Sequence, residues 1–178
     1  MLYFKRVFTI LILSAAFLGA CKKEIKVRTS GTSDTIDNFR YQNVTYYYYG
    51  FSFSQAKLVS TESTPGPDIV LYRDDTNTPS RLTLQANNRL PSFLMVEECA
   101  NEDEAKKAFD NLKTFRFDML YDMADPIAPN QVWIYKSNDE KYTKFRIVEI
   151  VSKEEQGLPY DECTFQWVHQ PDGSLSFP

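Results

Sequence analysis

Glu162-Cys163-Thr164-Phe165-Gln166-Trp167-Val168-His169-Gln170 decides the fold class. Cys163, Phe165 and Trp167 recur at every second position, with Thr164, Gln166 and Val168 between them. A period of two belongs to a strand with one face toward a core, because successive side chains of an extended chain point to opposite sides. Upstream, 132–136 and 142–151 are two further runs of β-formers, separated by Ser137-Asn138-Asp139-Glu140. Turn residues between two such runs predict a hairpin. Downstream, Pro171-Asp172-Gly173 is a turn, and 174–177 is expected to fold back as a short last strand.

Toward the N-terminus the same pattern returns. Residues 46–54 are rich in β-formers, with Phe51 and Phe53 on one face and Ser52 and Ser54 on the other. Residues 68–73 read as a more buried strand, 81–86 as a third and 91–96 as a weaker fourth. One helix is expected, over about residues 101–116. Asn101 can cap it with Glu104 as capping-box partner, and Glu102 and Asp103 suit the positive end of its dipole. Ala105, Ala108, Phe109 and Leu112 then form one apolar stripe. There is no repeating β–α–β rhythm, so a parallel nucleotide-binding sheet is not expected. The prediction is a single mostly-β, antiparallel domain over 38–178 with one amphipathic helix.

The first twenty residues are not part of that domain. Lys5 and Arg6 precede an apolar run over 7–18 that ends in Leu18-Gly19-Ala20-Cys21. This pattern resembles a bacterial lipoprotein signal, in which 1–20 is removed and the thiol of Cys21 is acylated. Two or more acyl chains suffice for stable membrane anchoring. Lys22 rather than Asp follows the cysteine, which in sorting of the enterobacterial type implies the outer membrane. The polar stretch that follows, counted with Cys21 as 21–37, reads as a flexible tether.

Composition narrows the function classes. The chain has 178 residues, 43% hydrophobic and 15% aromatic, enough for one well-filled core. Lys and Arg number 20 against 24 Asp and Glu, so no basic surplus is available to neutralise nucleic-acid phosphates. One His and three Cys leave little material for a zinc site or a disulfide framework. No nucleophile elbow, zincin helix or phosphate-cradling loop is present, and an enzyme is not expected.

Two blocks of sequence carry a resemblance. The first is Tyr48-Tyr49-Gly50-Phe51-Ser52-Phe53-Ser54-Gln55-Ala56-Lys57-Leu58-Val59 followed by Pro67-Asp68-Ile69-Val70-Leu71-Tyr72-Arg73. The second is Val132-Trp133-Ile134-Tyr135-Lys136, then Tyr142-Thr143-Lys144-Phe145-Arg146-Ile147, then Thr164-Phe165-Gln166-Trp167. In order and spacing they resemble the opening and closing strands of the HmuY-like haem-binding lipoproteins. The resemblance implies a mostly-β domain, anchored by an acylated Cys, that collects haem for an outer-membrane transporter and holds the iron between two His or two Met. The chain departs from the family pattern in its first ligand loop, and a two-His site is impossible with His169 alone.

By position, the resemblance places the second ligand in Phe117-Asp118-Met119-Leu120-Tyr121-Asp122-Met123, so Met119 and Met123 are the candidate haem ligands. They share a face only if the helix runs that far; otherwise they pack under the sheet. Phe117, Leu120, Tyr121 and Met95 are candidate walls of the cleft. His169 reads as a partly exposed structural residue, and Asp122, Asp125, Glu154, Glu155, Asp161 and Glu162 as solvated carboxylates. Cys99 and Cys163 are either disulfide partners or separate buried thiols. The function expected is a non-enzymatic ligand-binding lipoprotein of the outer membrane, with haem or a porphyrin as first ligand. The alternative is an accessory lipoprotein that kept the fold without haem and binds a protein or glycan.

Overall fold

The computed structural model describes residues 27–39, 49–76, 78–87 and 90–178. The signal peptide over 1–20, Cys21 and the first part of the expected tether lie outside the described residues. In chain order the elements are β1 (Ser30–Asp37), β2 (Tyr49–Ser52), β3 (Lys57–Ser60), β4 (Ile69–Asp74), β5 (Arg81–Ala86), β6 (Phe93–Glu98), α1 (Glu102–Asn111), β7 (Met123–Ala124), β8 (Gln131–Lys136), β9 (Tyr142–Glu155) and β10 (Leu158–Gln170). They form two five-stranded antiparallel sheets, β1-β10-β9-β8-β6 and β3-β2-β4-β5-β7. The described residues are therefore mostly β with one short helix, as the periodicity predicts. No helix among the described residues is long and apolar enough to cross a membrane.

The β9–β10 hairpin is the longest local unit. Glu155 pairs with Leu158, leaving a two-residue loop of Gln156 and Gly157 with φ of 54° and 77°. Positive φ at both positions is the mark of a type I′ turn, whose twist matches the flanking strands. The hairpin is longer than the sequence expectation, because its distal half is exposed and carries no apolar alternation. Toward the core, Asp161, Cys163, Phe165, Trp167 and His169 are all buried, which continues the predicted period-two face at both ends.

The two sheets meet through aromatic rings. Phe51 lies edge-on to Phe165 and Trp167 at 5.2 and 5.4 Å, and Phe53 lies 5.6 Å from Trp167 and 5.7 Å from Tyr135. Ile69, Leu71 and Leu84 from the second sheet and Ile36, Phe145 and Ile147 from the first complete the same core. Ser52, on the face opposite Phe51, is buried as well. The Asp68 carboxylate accepts a hydrogen bond from Phe53 N–H at 2.7 Å, tying the chain just beyond β2 to the entrance of β4.

A third layer covers the outer face of the first sheet. Asn101 accepts from the backbone N–H of Glu104 and so caps α1, while Ala105 and Phe109 face the protein. The helix ends at Asn111, short of the expected 116. The carbonyls of Phe109 and Leu112 instead accept from Lys144 Nζ at 2.8 and 3.0 Å. The ammonium lies 4.7 Å above the Phe109 ring and 5.4 Å from that of Phe177. A cation at a helix C-terminus completes the carbonyls that lack an intrahelical partner. Phe115 leaves the helical path to stack on Phe177 and meet Tyr142 edge-on. The expected last strand over 174–177 reduces to one bridge, Ser176 to Thr114.

Of the stretch 21–37 expected as a flexible tether, 21–26 lie outside the described residues, and Ser30–Asp37 is instead the strand β1, paired with β10. Two inward groups hold it there. Ile36 fills the core, and Asp34 accepts from the Trp167 indole N–H at 2.8 Å. A buried indole donor needs a partner, and this polar segment supplies it.

Two predictions follow from this packing. Phe165→Ala is expected to cost about 3–5 kcal/mol in urea unfolding, the usual range for emptying a buried aromatic site; a loss below about 1 kcal/mol would place the ring at the surface. Lys144→Met leaves the Phe109 and Leu112 carbonyls without their donor and should cost about 1–3 kcal/mol. Burial pushes the Lys144 amine down to about 8, with the nearby Lys113 charge adding to the effect. Between that value and the ordinary 10.5 the unfolded chain binds a proton that the folded chain has released, so this group makes stability rise with pH across the window. The rise is measured as the difference in urea midpoint between the parent and Lys144→Met.

Candidate functional site

One side of the sandwich is closed by a chain segment that belongs to both sheets. Tyr121 exchanges backbone hydrogen bonds with Phe93, donating at 2.8 Å and accepting at 3.0 Å, which fastens it to β6. Two residues later Met123 and Ala124 pair with Gln85 and Leu84 of β5. The buried Ala124 is small enough to pass beneath the core edge, and Asp125 is held by Arg81 Nε at 2.6 Å.

This crossing leaves a groove of about 530 Å³ lined by Leu94, Met95, Tyr121, Asp122, Met123, Asp125 and Trp133. Its volume falls in the range of about 300–1,000 Å³ usual for small-molecule sites. Met95 stands opposite Trp133 in the β6–β8 register. Met123 Sδ accepts from Gln85 Nε2 at 3.6 Å, a weak contact that nonetheless orients the thioether. Met95 and Met123 are 37% and 39% exposed, so each is half-sunk in the groove wall.

The candidates named from sequence separate here. Met123 lines the groove; Met119 is 60% exposed and does not. The shared helical face is absent because α1 stops at Asn111. Of the candidate walls, Met95 and Tyr121 face the groove, whereas Phe117 stacks on Phe115 and lies against Tyr142. Leu120 does not line it. Leu94, Trp133 and the pairing of β6 with β8 had no sequence signal as site features. The two strands are far apart in the chain, and their register depends on the assembled sheet.

The remaining polar groups mostly hold the fold together. His169 is buried rather than partly exposed. Its Nδ1 lies 2.9 Å from Thr143 Oγ1, and burial pushes its pKa below the ordinary value. Asp161 is likewise corrected from solvated to buried. It pairs with Arg73 Nη1 at 2.8 Å across the two sheets and accepts from Ser152 Oγ at 2.6 Å. Cys99 and Cys163 are separate thiols; Cys163 is wholly buried and its thiol is pushed up to about 12 by that burial. Among the described residues no group of three or more His, Cys, Asp or Glu is placed to hold a metal ion.

Comparison of this chain with models of known protein families and with curated proteins finds no match.

Proposed function

We propose that this protein is a non-enzymatic ligand-binding lipoprotein of the bacterial outer membrane, and that haem or a related porphyrin is the ligand of the groove between β6 and β7. The observation that carries the reading is the pair of half-exposed thioethers, Met95 from one sheet and Met123 from the other, lining one groove. A haem site needs an apolar cleft and one or two axial groups for the iron. Leu94, Tyr121 and Trp133 supply apolar and aromatic wall, and Met95 and Met123 would hold the iron through their sulfurs. Haem would supply an iron centre that accepts thioether ligands; the chain's own residues bind, orient and shield the ring. The HmuY-like resemblance points the same way and implies an outer-membrane transporter as the partner receiving the ligand. Met119, outside the groove, has no part in the proposed site.

The non-enzymatic reading has its own support. The single His is buried against Thr143 in a packed sheet rather than presented at a cleft. Anchoring rests on Leu18-Gly19-Ala20-Cys21.

Two experiments test the proposal. Cys21→Ser should abolish acylation and release the protein from the membrane fraction; a variant that is still acylated and retained would refute the anchor. Haem titration of the purified protein should give a saturable Soret change. Met123→Leu should weaken binding at least tenfold with an unchanged urea midpoint, and Met119→Leu should leave it unchanged. A parent protein without saturable binding, under oxidising and reducing conditions alike, would refute haem.

A further inference from the structure

The groove presents a donor set that does not require a porphyrin. Thioether sulfur is a soft, uncharged ligand that carries no competing proton near neutral pH. Met95 and Met123 bring two such sulfurs to one groove from separate sheets. Among the described residues neither His nor Cys lines it, so the groove offers no described imidazole or thiolate to favour zinc. Trp133 lines the same groove opposite Met95 in register and, almost wholly buried, closes its floor with apolar surface. Asp122 lies in the same wall, while the Asp125 charge is met by Arg81, so the local field favours a cation of low charge. Soft ligands, an apolar floor and one unbalanced carboxylate together select a monovalent soft ion over calcium, magnesium or zinc.

We propose that the Met95–Met123 groove binds Cu(I), with the two thioethers as ligands. The proposal rests on the same reading of the groove as a thioether ligand site, but it needs no haem. Binding exchanges the ion's solvent or carrier ligands for sulfur, with no change in oxidation state of ion or protein.

The chain supplies an internal control. It has four methionines, Met1, Met95, Met119 and Met123, and Met119 is the most exposed of the three described while lying outside the groove. Ag(I), a redox-inert ion of the same charge and softness, is the probe. It is titrated into protein labelled with ¹³C at the methionine methyls and carrying Cys21→Ser and Cys99→Ser, which remove two competing thiols. Cys163 is buried and keeps its proton, so it stays in place. The methyl signals of Met95 and Met123 should move together and saturate at one equivalent, while that of Met119 stays still. Met123→Leu should lower the affinity sensed at Met95 at least tenfold, and competition with a Cu(I) chelator should reproduce the loss.

If all three methyls drift in parallel without saturation, the ion is meeting exposed thioethers one at a time and the site does not exist. Stationary signals throughout would overturn it as well. Haem binding without Ag(I) saturation would overturn Cu(I) and leave the function proposed above standing; Ag(I) saturation without haem binding would do the reverse.

Discussion

Phe51 of the second sheet and Phe53 just beyond its β2 strand stand against Phe165, Trp167 and Tyr135 of the first, and nearly every other feature follows from keeping those rings dry and in register. Edge-to-face pairing fixes the spacing of the sheets as well as the burial of their residues. The rings carry polar obligations of their own: the buried Tyr135 hydroxyl bonds to Asp68, and meeting the Trp167 indole N–H recruits Asp34 and with it β1. Gly31 is part of the same solution, since a Cβ there would collide with that indole and with Asp34. A further obligation lies at the far side of the core, where Arg73 of one sheet pairs with the buried Asp161 of the other. A buried carboxylate at a sheet interface is stable only when such a partner is supplied.

Much of this was legible in the sequence where burial and period coincide. β8 and β9 announce themselves as runs of β-formers and β10 through alternating apolar residues, all bounded by turn chemistry, and α1 through Asn101 and its acidic first turn. What was not legible depends on distant partners. β1 reads as a polar tether because only Ile36 among its residues is a large apolar side chain; its order comes from the open edge of β10. The end of α1 carries no Gly or Pro. The helix stops where Lys144, thirty-odd residues later in the chain, takes its carbonyls and where Phe115 finds a better seat against Tyr142 and Phe177.

The candidate site shows the same division. Met123 was nameable from its place before β8, but its separation from Met119 was not, because that turned on where the helix stops. Met95 was named as a wall of the cleft, but what brings it to the same groove as Met123 is the pairing of β6 with β8 and the crossing at 121–124 that sets β7 on the edge of β5. Two residues of pairing leave no periodic trace in a sequence. A groove made by such a short crossing is a property of assembly, although its chemistry, two sulfurs and an indole, is written in the residues themselves.

β1 has a consequence for the protein's behaviour in company. An outermost strand offers a row of unmatched backbone groups to which another chain can add, the usual route to runaway association. This one is broken by an irregularity between Gly31 and Asp34, turns a carboxylate inward to Trp167, and carries Arg28 beside it on the same carboxylate. A second copy approaching that margin meets a bent, charged rim where a flat ladder would have to continue. The residue that satisfies the buried indole is therefore also part of what makes this margin of the sheet irregular and charged.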